Sequence, residues 1–227
     1  MIKWIPLTFQ NIERKNIFFI DWLHDYILIF LIFVVILVGG ALLSLRKRYM
    51  LQLNTHEAPV LEFVWTVVPG VILIFIGVPS LSILYNFESV FYPDMRIKIV
   101  GHQWYWTYDY SDFPRLEFDA YLKPSQELIN GEPRLLETDN HTVVPLFSSI
   151  RLIVSSSDVL HSWALPSIGI KADANPGRIN ILFLSNLQIS GIFYGQCSEI
   201  CGANHSFIPI CLEVSPFINF SAWTTAI

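Results

Sequence analysis

The sequence predicts a membrane-anchored all-β protein, in which an N-terminal two-helix transmembrane hairpin precedes a β-sandwich or barrel. Three observations carry that class. The 227 residues are 53% hydrophobic and only 15% charged, with a mean hydropathy of +0.48, against roughly 25% charged in an average soluble domain. The apolar excess lies in two uncharged runs, both ahead of Asn86. From there onward Pro, Gly, Ser, Asp and Glu recur and only short β-rich segments remain. Such an apolar balance excludes a disordered or fibrous chain.

The first run, Tyr26–Leu45, carries no charge. At about 1.5 Å rise per residue it spans roughly 30 Å, the hydrocarbon thickness of a bilayer. The second, Phe63–Tyr85, is longer and equally uncharged. Pro69, Gly70 and Pro79 do not disqualify it, because membrane helices tolerate such breakers. A signal peptide is the competing reading of the first run, but an h-region is only about 7–15 residues, and no small-residue cleavage site follows. Length and lack of charge also disfavour a pair of buried core helices.

The turn between the runs carries Arg46, Lys47, Arg48 and Glu57, a net of +2, whereas Lys3, Arg14 and Lys15 balance Glu13, Asp21 and Asp25 ahead of the first run. By the positive-inside rule the turn faces the side of synthesis and both termini face the opposite compartment. The expected organisation is an N-terminal segment over 1–25, the hairpin over 26–85 and a β domain over 86–227.

Within that domain the expected strands include Met95–Val100, Trp104–Tyr110, Ser149–Val154, Arg178–Leu184 and Ile208–Val214, separated by turn residues such as Pro176-Gly177. No internal repeat or low-complexity stretch interrupts them. Residues 86–227 hold eight Lys or Arg and fourteen Asp or Glu, a net of −6. A solvated acidic face is the plain reading. The sharper one is a basic protein partner drawn in by the field, and the same sign disfavours nucleic acid.

Chemistry concentrates in Gly195-Gln196-Cys197-Ser198-Glu199-Ile200-Cys201-Gly202-Ala203-Asn204-His205. Two of the three cysteines lie four apart and a histidine lies four beyond. Gly195, Gly202 and Pro209 argue for a loop between strands rather than a helix face. Two thiols and an imidazole in one loop suggest a metal site. His161, at the end of a predicted strand with Trp163 as an apolar wall, is the natural fourth ligand. His24, His56, His102 and His141 lack cysteine neighbours in the sequence and read as hydrogen-bonded structural residues. A Cys2His2 zinc site, a Cys197–Cys201 disulfide and two buried thiols compete for the cluster, since thiolate and imidazole suit zinc and copper alike. The arrangement, one distant His and a late Cys/His loop between the last two strands, resembles the way Greek-key copper sandwiches of the cupredoxin type supply their ligands.

Five segments carry a closer resemblance: Gly101-His102-Gln103-Trp104-Tyr105-Trp106, Arg134-Leu135-Leu136-Glu137 with Asp139-Asn140, Asp158-Val159-Leu160-His161-Ser162-Trp163, Pro176-Gly177-Arg178 and Tyr194–Gly202. In this order behind a two-helix hairpin, they resemble subunit II of cytochrome c oxidase, from about Leu61 onward. The chain ahead of Leu61 is similar in hydropathy alone.

The resemblance implies a dinuclear copper centre, CuA, with Cys197 and Cys201 bridging two copper ions, His161 and His205 each completing one, and the Glu199 carbonyl a weak ligand. Two bridging thiolates spread one unpaired electron over both metals, so oxidation barely moves a bond. The Glu199 carboxylate would help bind magnesium shared with subunit I. Electron uptake would use Trp104, Tyr105 and Trp106, with Trp104 as an exposed ring above the copper. Asp109, Asp119, Asp139 and Asp158 match acidic positions that meet lysines of cytochrome c, a rim arrangement that sets on-rate and salt dependence more than affinity. Glu62, at the turn side of the second helix, matches a position near the entrance of a proton path into subunit I. An interfacial, solvated glutamate is the plainer reading. Cys211, between Ile210 and Leu212, reads as a buried small hydrophobe.

One position departs from the family. Its methionine thioether, three residues after the second ligand histidine, is here Ile208, which has no lone pair to offer a copper. The chain has 29 Ile and 3 Met, and some mitochondrial codes read AUA as Met. The imbalance suggests that the native residue at 208 is methionine.

The implied role is a respiratory subunit that takes single electrons from cytochrome c and passes them to haem a of subunit I, where oxygen is reduced and protons are pumped. It would hold no haem and perform no catalysis alone. Its partners would be subunit I, the other oxidase subunits and membrane lipid. A compact chain without a presequence resembles an organelle-encoded protein of the mitochondrial inner membrane with its copper domain in the intermembrane space. A bacterial plasma membrane with a periplasmic copper domain is the alternative placement.

Overall fold

The computed structural model describes residues 15–47, 57–88, 92–184 and 187–226. Arg48, His56, most of the charged turn and the N-terminal Lys3, Glu13 and Arg14 lie outside them.

Two helices come first: α1 (Lys15–Lys47) and α2 (Pro59–Glu88). Both are longer than their uncharged cores. α1 takes in the polar stretch Asp21, His24 and Asp25. Phe18–Arg46 and Pro59–Asn86 are long and apolar enough to cross a membrane. Their apolar side chains point outward: Val35, Ile36, Leu73 and Ile74 are each more than 60% exposed. In water that surface would be prohibitive, whereas against lipid it is the expected covering. The two helices meet where the Tyr26 hydroxyl donates to the Phe75 carbonyl at 3.2 Å.

The second unit is a β-sandwich of ten strands with a terminal helix. In chain order they are β1 (Met95–His102), β2 (Tyr105–Tyr110), β3 (Glu117–Ala120), β4 (Thr142–Pro145), β5 (Ile150–Ser156), β6 (His161–Leu165), β7 (Ile170–Ala174), β8 (Asn180–Leu184), β9 (Gly191–Gln196), β10 (Pro209–Ser215) and α3 (Phe217–Ala226). One sheet has the order β3-β2-β1-β5-β8, a second β4-β10-β9, and β6-β7 form a two-stranded ribbon. β1 pairs with β5 in parallel, as does β4 with β10, while the other neighbours are antiparallel. The predicted class, a membrane-anchored all-β chain with a cupredoxin-like sandwich, is the observed one.

Alternation sets the core. β1 and β5 bury every second residue, so Ile97, Ile99, Ile150, Leu152 and Val154 point inward. Four large rings fill the interior: Trp106, Tyr108, Tyr110 and Trp163 are each 0–1% exposed. Their polar tips are partly satisfied inside, with Trp163 Nε1 donating to the Tyr108 hydroxyl at 3.0 Å and the Tyr110 hydroxyl to the Val143 carbonyl at 2.8 Å. α3 closes one end by laying Trp223 on Tyr110 and Phe118, and Phe220 on Phe113. Truncating one such ring to alanine would cost about 3–5 kcal/mol.

Candidate metal centre

The loop between β9 and β10 begins where Gly195 passes under β6. A Cβ at Gly195 would lie 1.9 Å from the Ala164 carbonyl oxygen, so only glycine lets the strands approach this closely. Backbone bonds then fix the loop from both sides. Cys197 N–H donates to the Ile208 carbonyl at 3.0 Å, and Ser198 N–H to the Ser162 carbonyl at 2.9 Å. Gly202 turns the chain at φ +121°, beside Gln103 and Trp104. The Gln103 side-chain amide donates to the Cys201 carbonyl at 2.8 Å. His205 opens a 3-10 turn, His205–Phe207.

This scaffold lines up four donor atoms. His161 Nδ1 lies 3.8 Å from Cys197 Sγ, Cys197 Sγ lies 3.9 Å from Cys201 Sγ, and Cys201 Sγ lies 3.5 Å from His205 Nδ1. The Glu199 carbonyl oxygen sits 3.4 Å from Cys197 Sγ. His161 is fully buried, the two cysteines are buried and His205 is half-buried. Both thiols are free, with sulfurs far beyond bonding distance, so a Cys197–Cys201 disulfide is not the observed state.

The two thiols differ in how readily they ionise. Burial acts to raise the Cys197 thiol, but hydrogen bonding from His161, the backbone at Glu199 and Ser162, and His205 brings it down to about 6. Burial, together with the Cys197 charge beside it, pushes Cys201 up to about 12. Two thiolates cannot coexist at this separation unless positive charge lies between them. Soft sulfur donors flanked by imidazoles suit copper or zinc.

His161 opens β6 rather than ending a strand, and its wall is Trp106, not Trp163. The Trp106 ring meets the imidazole edge-on at 5.8 Å, while Trp163 bonds Tyr108. The imidazole Nε2 faces the Asp158 carboxylate at 2.9 Å. That acid also accepts from Gln103 N–H at 2.7 Å and Val159 N–H at 2.6 Å. Burial works to raise Asp158, and the bonds from His161, Val159 and Gln103 outweigh it, holding the carboxyl below its ordinary value. Burial works to lower His161, and Cys197 and Asp158 outweigh it in turn, raising the imidazole. Asp158 is thus the orienting partner of a donor histidine. Its three-residue spacing from His161 is the signal the sequence offers, whereas Gln103, which steadies both Asp158 and the Cys201 loop, stands out only as a member of the Gly101–Trp106 segment.

Of the remaining expected site residues, Trp104 and Trp106 border the donor loop and His161, and the others lie elsewhere. Trp104 is half-buried rather than exposed, and its buried Nε1 has no hydrogen-bond partner among the described residues. Tyr105 stacks between His102 and Tyr121 at 4.5 Å from each. Asp119 accepts from the Thr107 hydroxyl at 2.7 Å, and exposed Asp139 from Tyr121 N–H at 2.8 Å. Asp109 is half-buried in β2. Glu62 is exposed in the first turn of α2. Ile208 is 1% exposed and belongs to the hydrophobic core. Cys211 is buried in β10 as expected, and burial pushes its thiol up to about 12. His141 has no cysteine neighbour in the sequence, yet Cys211 is beside it in space.

Two apolar spanning helices ahead of a β-sandwich whose loop sets two buried thiols between two imidazoles define a membrane-anchored, metal-binding domain. Residues 95–215 match the family described as cytochrome c oxidase subunit II, periplasmic domain, and residues 3–83 its transmembrane domain. The chain belongs to the cytochrome c oxidase subunit II family. Similar relatives are cytochrome c oxidase subunit 2 of Oncopeltus fasciatus, 43% identical over 98% of this chain and 97% of the relative, and that of Choristoneura rosaceana, 44% identical over 98% of each. The crystal structure of the periplasmic domain of cytochrome oxidase subunit II from Bradyrhizobium japonicum is 43% identical, with a TM-score of 0.56 over 60% of this chain and 95% of that one. A mixed disulfide between a thioredoxin-like protein and subunit II of cytochrome c oxidase is 41% identical, with a TM-score of 0.52 over 61% of this chain and 93% of that one. The chain is therefore a membrane subunit whose oxidoreductase role lies in an oxidase complex.

Proposed function

We propose that the β domain is the electron-accepting module of its oxidase, taking single electrons from cytochrome c at a CuA centre and delivering them to haem a of subunit I, for reduction of oxygen to water coupled to proton pumping. The observation that carries this reading is the row of donors from His161 through Cys197 and Cys201 to His205, with 3.5–3.9 Å between neighbours. Copper held by that row would supply a one-electron carrier. A closed Cys2His2 zinc site is the alternative, and membership of an oxidase family favours copper.

In this reading Cys197, Cys201, His161 and His205 are the residues that would hold the copper, the two thiolates supplying soft sulfur donors and the two imidazoles the nitrogen donors. The Glu199 carbonyl, which faces Cys197 Sγ at 3.4 Å, would be a weak further donor, and its carboxylate would be left for magnesium shared with subunit I. Asp158 fixes the His161 ring, because a carboxylate on one imidazole nitrogen orients the other and raises its basicity. Burial of His161 and of both thiols keeps water from the donors, which lowers the reorganisation accompanying each electron.

Trp104 lies against Gly202 of the metal loop, so its ring, with Tyr105 beside it, is the proposed electron-uptake surface. Fully buried Trp106 packs on His161 and serves the path from the inside. The acidic residues Asp109, Asp119 and Asp139, with the outer face of Asp158, give the rim its sign for basic cytochrome c. Glu62 is proposed to stand at the entrance of the proton path into subunit I. The chain would be a multi-pass protein of the mitochondrial inner membrane with residues 86–227 in the intermembrane space. The insect relatives support that placement.

Rapid mixing of the copper-loaded chain with reduced cytochrome c tests the proposal. One electron per chain should transfer, and Cys197→Ser should abolish it. Retention of the transfer in that variant, or none in the wild type, would overturn it.

A further inference from the structure

A second group of donors lies apart from the first and shares no residue with it. Glu137, His141 and Cys211 each bring one ligand atom within 4.8 Å of the others. Glu137 Oε1 is 2.5 Å from His141 Nε2 and 3.9 Å from Cys211 Sγ. The topology explains the convergence. β10 sends Ile210, Leu212 and Val214 into the core, so Cys211 and Glu213 share its other face. The same register places Tyr194 of β9 opposite Cys211, and Leu212 opposite Thr142, the residue after His141.

We propose that Glu137, His141 and Cys211 form a second metal site, for a zinc-class divalent cation. Thiolate, imidazole and carboxylate are the donor types zinc takes in tetrahedral sites. The atoms around each donor are those such a site needs. Glu213 Oε2 lies 3.1 Å from His141 Nδ1, the carboxylate that orients a ligating imidazole. The Tyr194 hydroxyl donates to Glu137 Oε2 at 2.9 Å, leaving Oε1 for the cation. The Cys211 thiol donates to the Leu136 carbonyl at 3.0 Å and releases that proton when metal binds.

Charge points the same way. Glu137 is 2% exposed, yet among the described residues no lysine or arginine bonds it, and one imidazole stands between it and Glu213. Lys123, the nearby cation, is taken by Glu132 at 2.8 Å. A buried carboxylate that is hydrogen-bonded by an imidazole and a phenol, but bonded by no permanent cation among the described residues, gains from a divalent ion. A cavity of about 370 Å³, lined by Glu137, His141, Glu213 and Lys123 among others, opens on the site. It supplies both a route in and room for a water as fourth ligand.

Cobalt(II), used as a spectroscopic substitute for zinc, tests the site independently of the copper proposal. In the full-length Cys197→Ser/Cys201→Ser chain in detergent, Cys211 is the last thiol of three. Any thiolate-to-cobalt charge-transfer band must then come from it. One equivalent of cobalt should produce that band and one equivalent of zinc should displace it. Cys211→Val should abolish the band, and Glu213→Gln should weaken binding by roughly 10–100-fold. If the double variant does not fold, the same titrations are made on the copper-loaded chain, with and without Cys211→Val. Absence of the band, or its persistence in Cys211→Val or His141→Ala, overturns the proposal.

Discussion

Asp158 holds His161 by Nε2 at 2.9 Å and thereby turns Nδ1 toward Cys197 Sγ at 3.8 Å. The acid is itself pinned by two backbone N–H groups, from Gln103 and Val159. One exposed carboxylate thus sets the tautomer and the aim of a fully buried ring.

Asp158→Asn should therefore lower copper affinity by roughly 10–100-fold, the usual cost of losing an outer partner of a ligating histidine. Competition against a chelator of known affinity measures it. An unchanged affinity would make Asp158 a surface acid only.

Asp139 is exposed and Asp109 half-buried, and among the described residues neither belongs to the donor group of His161, Cys197 and Cys201. Asp109→Asn with Asp139→Asn should slow association with cytochrome c and flatten its salt dependence, leaving copper content unchanged, since exposed charges act mainly on encounter. Stopped-flow traces over a range of ionic strength give the slope. An on-rate equal to the wild type at low salt would remove these acids from the docking rim.

Arg96 bonds Asp112 through its guanidinium at 2.5 and 3.1 Å and its backbone N–H at 2.7 Å. The side-chain bond is the main influence holding this carboxyl below its ordinary value, against a smaller opposing effect of burial. Because the folded value is the lower one, the stabilisation is present at neutral pH and disappears as pH falls from about 4 through the folded value. The Tm deficit of Asp112→Asn should accordingly be present at pH 7 and shrink on acidification. A deficit that stays constant with pH would contradict the linkage.

Ile208 is buried in the core, with its carbonyl bonded to Cys197 N–H at 3.0 Å, so its side chain is confined next to the donor loop. A methionine of similar volume would fit there at little packing cost and would bring a thioether to the centre. Peptide mass spectrometry of protein from its natural source should find methionine at 208. A measured isoleucine would mean a centre built without that ligand.

The elements readable from sequence are the strands with one wet face and the two helices of bilayer length. β1 and β5 alternate buried and open residues, and two uncharged runs of bilayer length point to lipid rather than water. β4 (TVVP) and β6 (HSWAL) are buried at every position, so period-two patterning is absent, and Ser162 within β6 looks like a turn residue. The cysteine and histidine loop is legible because its donors are close in sequence. Asp158 reads as a docking acid because its second role depends on a ring turned toward it. The Glu137, His141 and Cys211 group is invisible for a related reason: His141 precedes β4 and Cys211 lies in β10, and only the pairing of β10 with β4 and β9 brings them together.

The most direct test of the dinuclear centre is metal content measured together with the electron paramagnetic resonance spectrum of the copper-loaded, detergent-solubilised chain in the Cys211→Val background. Two coppers per chain with hyperfine splitting shared between two nuclei is the expected result. One zinc and no signal, or splitting confined to a single copper nucleus, would contradict a delocalised pair bridged by Cys197 and Cys201.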